Sequence, residues 1–86
     1  MSIHVFDTYA YTTSGKRIHF DVLLPTRDAE LALTIAKQWL TEIGEQGAEI
    51  RSDGCSFCHT APSVPEYDEA IKRQGYAIYK LEGCPA

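Results

Sequence analysis

The residues with chemistry to offer are three cysteines and the histidine beside one of them. Cys55-Ser56-Phe57-Cys58-His59 holds two thiols at CxxC spacing, and Cys84 follows near the end of the 86-residue chain. Two thiolates three residues apart on a knuckle-like turn commonly hold zinc, at about 2.3 Å from each sulfur. Gly54 ahead of the pair would permit that turn. One pair is half a tetrahedral site, so Cys84 and His59 are the expected remaining ligands. His59 is the weaker of the two, because neighbouring side chains normally point apart. His4 and His19 are substitutes, but the expected hairpin sets them about six strand positions apart and one ion cannot use both. The zinc reading competes with two others. In one the thiols are free and partly buried as small apolar residues. In the other Cys55 and Cys58 form a redox dithiol with Cys84 as resolving thiol. Redox motifs of the thioredoxin type sit at a helix N-terminus, where the dipole lowers a thiol pKa. Here Thr60-Ala61-Pro62-Ser63 intervenes before the next helical pattern. CxxCH is also the attachment string of c-type haem. The single methionine is the initiator, which leaves no Met axial ligand.

Three further groups carry weaker signals. Asp7 falls on the apolar face of the first strand by strict alternation, where a carboxylate needs a partner. His19 and Asp21 share the opposite face, about 6–7 Å apart between Cα atoms. They read as a solvated strand face or as a proton-transfer pair. No glycine-rich phosphate loop and no Ser-His-Asp set is recognisable.

The elements that must position these residues follow from periodicity. Residues 3–12 alternate, with Ile3, Val5, Tyr9 and Tyr11 at odd positions, and residues 17–24 do so with Ile18, Phe20, Val22 and Leu24. Thr13-Ser14-Gly15-Lys16 is the turn between them. With Ser14 and Gly15 at its centre, Tyr11 faces Ile18 and Tyr9 faces Phe20. A helix is expected from Ala29 to Ile43, capped by Thr26 or Asp28 and stopped by Gly44, with Trp39 near the centre of its contact with the hairpin. Ala48–Ser52 reads as a short edge strand and 53–62 as the cysteine loop. Ser63-Val64-Pro65-Glu66 has the capping-box pattern. A second helix then runs to about Gln74 and ends at Gly75. Tyr76–Leu81 is apolar on both faces and is expected inside the sheet. The expected fold is a two-layer α+β or α/β sandwich in ββαβαβ order. It has a four-stranded mixed sheet with both helices on one face.

Composition bounds the rest. Eight basic against twelve acidic residues, a net charge of -4, argue against nucleic acid or an anionic membrane as partner. With 44% hydrophobic residues the chain suits one globular domain spanning 1–86. No run is long enough to span a membrane. The first residues lack a basic and an apolar leader region, and the cysteine count is odd. Both features point to the cytoplasm. A small domain gains from a metal or from a homodimer interface.

Several strings occur together: His4-Val5-Phe6-Asp7-Thr8-Tyr9, His19-Phe20-Asp21-Val22, the cysteine string, Gly75-Tyr76 and Glu82-Gly83-Cys84-Pro85. In this combination, across nearly the whole chain, the sequence resembles the small bacterial family called domain of unknown function 2024. The resemblance implies a compact α/β fold in bacteria and no assigned activity. The functional expectation is a non-enzymatic domain with a structural zinc at Cys55, Cys58, His59 and Cys84. The alternatives are a metal-free homodimeric interaction module or a thiol-redox protein.

Overall fold

In the computed structural model, which describes residues 2–50 and 55–83, a long hairpin forms the middle of the sheet. Its strands are β1 (Ser2–Tyr11) and β2 (Arg17–Leu24). The first helix, α1 (Ala29–Glu42), follows, then β3 (Cys55–Pro62), α2 (Pro65–Gln74) and β4 (Ala77–Glu82). The strand order is β3-β1-β2-β4, and every neighbouring pair is antiparallel. The mixed sheet expected from the strand–helix–strand units is therefore not formed. β2 and β3 do run the same way, but β1 lies between them. Among the described residues no helix is long and apolar enough to cross a membrane.

The hairpin differs from expectation by one residue. Tyr11 pairs with Arg17, Tyr9 with His19 and Thr8 with Phe20. Thr12 N–H donates to the carbonyl of Lys16 at 2.8 Å and Gly15 N–H to that of Thr12 at 3.0 Å. That leaves three residues in the loop rather than two, with Gly15 at φ 86 in the left-handed region. A one-residue slip moves one strand's whole set of side chains to the other face. Even positions of β1 (Phe6, Thr8, Ala10) therefore join Ile18, Phe20, Val22 and Leu24, all buried. Odd positions of β1 join Arg17, His19, Asp21 and Leu23.

Both faces now have apolar surface, and each takes one helix. α1 lies on the even face, where its buried stripe of Ala32, Ile35, Ala36, Trp39 and Leu40 completes the main core. Trp39 meets Phe20 with ring centroids 4.4 Å apart. The helix starts at Asp28, whose carboxylate accepts from Leu31 N–H at 3.0 Å. It stops before Gly44, at φ 83. α2 lies on the odd face, with Tyr67, Ala70 and Ile71 over Ile3, Val5, Leu23 and Ala77. The expected placement of both helices on one face thus gives way to a helix–sheet–helix arrangement, because the corrected register splits the hairpin's apolar residues between two faces.

Three smaller expectations change. Ala48–Ile50 contributes only a bridge between Glu49 and Tyr11, and the edge strand expected there is instead β3. Residues 51 and 52 lie outside the described part. Ser63 does not cap α2. Val64 occupies that position with no side-chain bond, and Pro65 opens the first turn. β4 is an edge strand, with Ala77 buried and Tyr79 to Glu82 exposed, since the helices cover only its beginning.

Candidate functional site

α2 covers the end of the odd face that carries Ile3, Val5 and Leu23. Among the described residues, no helix covers the polar end beyond it. Asp7 and Asp21 are direct partners there on the two central strands, and Tyr9 and His19 are the next partners on the same face. Like charges directly opposite on adjacent strands are destabilising unless something neutralises them. His19 supplies part of the answer. Its Nε2–H donates to Asp7 Oδ1, with both side chains half-buried. The imidazole stacks on the Tyr9 ring at 4.1 Å and 12°. The Arg17 guanidinium stands 5.3 Å from the centre of the Tyr9 ring and bonds Glu82 at 3.2 Å. The ring of His19 is thus held from its face and from its nitrogen, which fixes where the imidazole points.

Asp21 takes the other part. Burial, then a hydrogen bond shared with Asp7 and the charge of Asp7, raise its pKa from 3.8 to about 6, against the opposing pull of His19 and His59. Near neutral pH a proton on Asp21 is therefore easily gained and lost. One ligand atom from each of Asp7, His19 and Asp21 lies within 4.8 Å of the others. A metal bound tetrahedrally at about 2.0–2.2 Å sets its ligand atoms about 3.3–3.6 Å apart. The three groups reach that spacing with side-chain adjustments of about 1 Å. Asp21 also borders a cleft of about 200 Å³, shared with His59 and walled by Ile3, Leu23, Tyr67 and Tyr79.

The residues expected to bind zinc are placed differently from one another. Cys55 and Cys58 lie on β3 rather than on a loop, and three residues of extended chain separate their Cα atoms by about 10 Å. The tight turn expected around the pair is replaced by this strand. Cys58 is the extra residue of a β-bulge between the pairs Val5–His59 and Phe6–Phe57, and it is exposed. The bulge interrupts alternation, so Cys58 Sγ and His59 Nδ1 approach to 3.2 Å instead of pointing apart. Cys84 lies outside the described residues. The metal-capable cluster found among the described residues contains neither Cys58 nor His59.

The cluster was legible only in pieces. Asp7 stood out as a carboxylate on a face taken for apolar, and His19 and Asp21 as a pair on the opposite face. The length of the Thr13–Gly15 loop was the missing signal that unites them.

Comparison with known proteins adds the family. Residues 1–81 match the family described as domain of unknown function (DUF2024). The chain belongs to this family. The NMR structure of protein NE1680 from Nitrosomonas europaea, a structural-genomics target, is similar to this DUF2024 chain at 50% sequence identity with a TM-score of 0.89. The match covers 99% of this chain and 100% of that one. No curated protein matches the sequence. Family membership therefore brings a fold and no activity, and a functional reading of this DUF2024 protein rests on its side chains.

Proposed function

We propose that this protein is a small binding module whose working part is the Asp7–His19–Asp21 cluster, and that the cluster takes one divalent cation of the zinc or manganese type. The observation that carries the reading is the direct opposition of two aspartates on adjacent central strands, with an imidazole held against one of them. That arrangement is costly unless positive charge sits between the carboxylates, and a divalent ion supplies more of it than a shared proton. One imidazole with two carboxylates suits zinc or manganese better than magnesium, which prefers oxygen ligands and keeps its waters. Three protein ligands leave at least one position open for water or for a ligand in the adjoining cleft. Arg17 and Tyr9 act as supports that orient His19, a role second to the ligands themselves.

The test is a zinc and manganese titration of the full chain by calorimetry, beside a variant with Cys55→Ser, Cys58→Ser and Cys84→Ser. The expected result is one equivalent bound in both proteins, with shifted His19 ring signals in NMR spectra. Proton release should be larger at pH 6 than at pH 8, because Asp21 gives up its proton to the metal. Asp21→Asn should weaken binding at least about tenfold. Binding that disappears in the serine variant, or an unmoved His19 ring at saturating metal, would overturn the proposal.

A further inference from the structure

At the outer edge of β4, away from the Asp7–Asp21 pair, the two helices on opposite faces leave a cleft of about 360 Å³. That is within the usual range for small-ligand sites. Its walls are aromatic and acidic. Trp39 and Glu42 come from α1, Glu66 and Tyr67 from α2, and Tyr76 from the turn into β4. No lysine or arginine is among the described residues that line it. The rings are well supported. Trp39 packs on Phe20 at 4.4 Å, and Gln74 Nε2–H donates to the Tyr76 carbonyl at 3.0 Å. Two exposed carboxylates border the aromatic walls. Burial and then the Glu42 carboxylate raise the Tyr76 phenol above its ordinary pKa, and burial and then Glu66 do the same for Tyr67. Aromatic faces attract cations through their quadrupole, and nearby carboxylates add ordinary charge attraction.

We infer that this cleft is a binding site for a small organic ammonium ion, with its alkyl part against Trp39, Tyr67 and Tyr76 and its charged head towards Glu42 and Glu66. The inference does not rest on the metal proposal: Tyr67 borders both clefts, but none of Asp7, His19 and Asp21 is among the described residues lining this one. A carboxylate or phosphate ligand is disfavoured by the two glutamates.

Trp39 is the sole tryptophan of the chain and provides the readout. The full chain is titrated at constant ionic strength with n-butylammonium chloride and, separately, with 1-butanol, which has the same carbon skeleton without the charge. Saturable change in Trp39 emission is expected with butylammonium, at least about fivefold tighter than with butanol. The indole N–H signal should move in NMR spectra over the same range. The double variant Glu42→Gln/Glu66→Gln should bind about fivefold more weakly, in line with two exposed carboxylates. Glu69→Gln, a single charge change on α2 outside the cleft, should bind as the unaltered protein does. Unfolding midpoints in urea establish that each variant is folded. Coincident curves for the two probes would overturn the inference. So would equal loss in Glu69→Gln, or undiminished affinity in a folded double variant.

Discussion

Replacing Asp21 by asparagine should stabilise the protein above pH 7 and leave it nearly unchanged in acid. The folded protein raises the pKa of Asp21 from 3.8 to about 6, so it binds that proton more tightly than the unfolded chain does. The stability contributed by the proton is complete below pH 3.8. It is lost as pH rises through 6, where Asp21 ionises opposite Asp7. Asparagine keeps the shape and can still donate to Asp7, but it has no proton to lose. Each pKa unit is worth 1.36 kcal/mol, so the full shift corresponds to about 3 kcal/mol. Asp21 is half-buried, and screening by water brings the expected gain at pH 8 to about 1 kcal/mol. For a domain of this size that is a rise of about 4–8 °C in Tm. The assay is urea unfolding followed by Trp39 emission at half-unit pH steps from 3.5 to 8, in metal-free buffer. The difference between the variant and the parent should grow between pH 4 and 7 and then level off. A difference constant across pH would refute the reasoning, as would an Asp21 carboxyl carbon that titrates near 3.8.

Other substitutions probe the scaffold. Phe20→Ala removes a fully buried ring packed on Trp39 and should cost about 3–5 kcal/mol in urea unfolding at pH 7. Gly15 and Gly83 both have positive φ, but a Cβ at Gly15 meets nothing within 4 Å, whereas at Gly83 it would lie 2.5 Å from the Arg17 carbonyl oxygen. Gly15→Ala should therefore cost about 1 kcal/mol, and Gly83→Ala measurably more, with amide shifts at the Arg17 end of β2. Asp28→Ala deletes the N-cap of α1 and should cost about 1 kcal/mol, with loss of amide protection confined to the first turn.

Local chemistry that acts over a few residues was readable in the sequence. α1 begins at the aspartate suited to cap it and ends before the glycine suited to leave it. α2 ends at Gly75, at φ 90. The hairpin strands also lie where alternation put them. What alternation could not decide was which odd and even sets belong together, because β1 is apolar on both sides at Ile3-His4-Val5-Phe6, and Tyr9 and Tyr11 imitate a core face. The loop length decides it, and with it the position of Asp7. β3 was hidden for another reason. A bulge at Cys58 breaks the period of two, and cysteines in a CxxC string look like metal ligands before they look like a strand. β4 reads as a central strand because Tyr79 and Leu81 are apolar, yet each is 46% exposed at the sheet edge. The candidate site was therefore present in the sequence as residues and absent as a geometry.

The central place of the β1–β2 hairpin bears on how the molecule acquires its shape. Its pairs are close in sequence, so this ribbon closes the shortest loops in the sheet, and β3 and β4 add later to its two outer edges through longer closures. Asp7, His19 and Asp21 all lie on that ribbon. Their mutual repulsion and hydrogen bonding are thus felt when the first strands meet, before either flanking strand is in place. The residues of this cluster are then also expected to influence the folding rate. Refolding followed by Trp39 emission is therefore expected to speed up when acid neutralises the facing aspartates, and a pH-independent rate would count against this order of events.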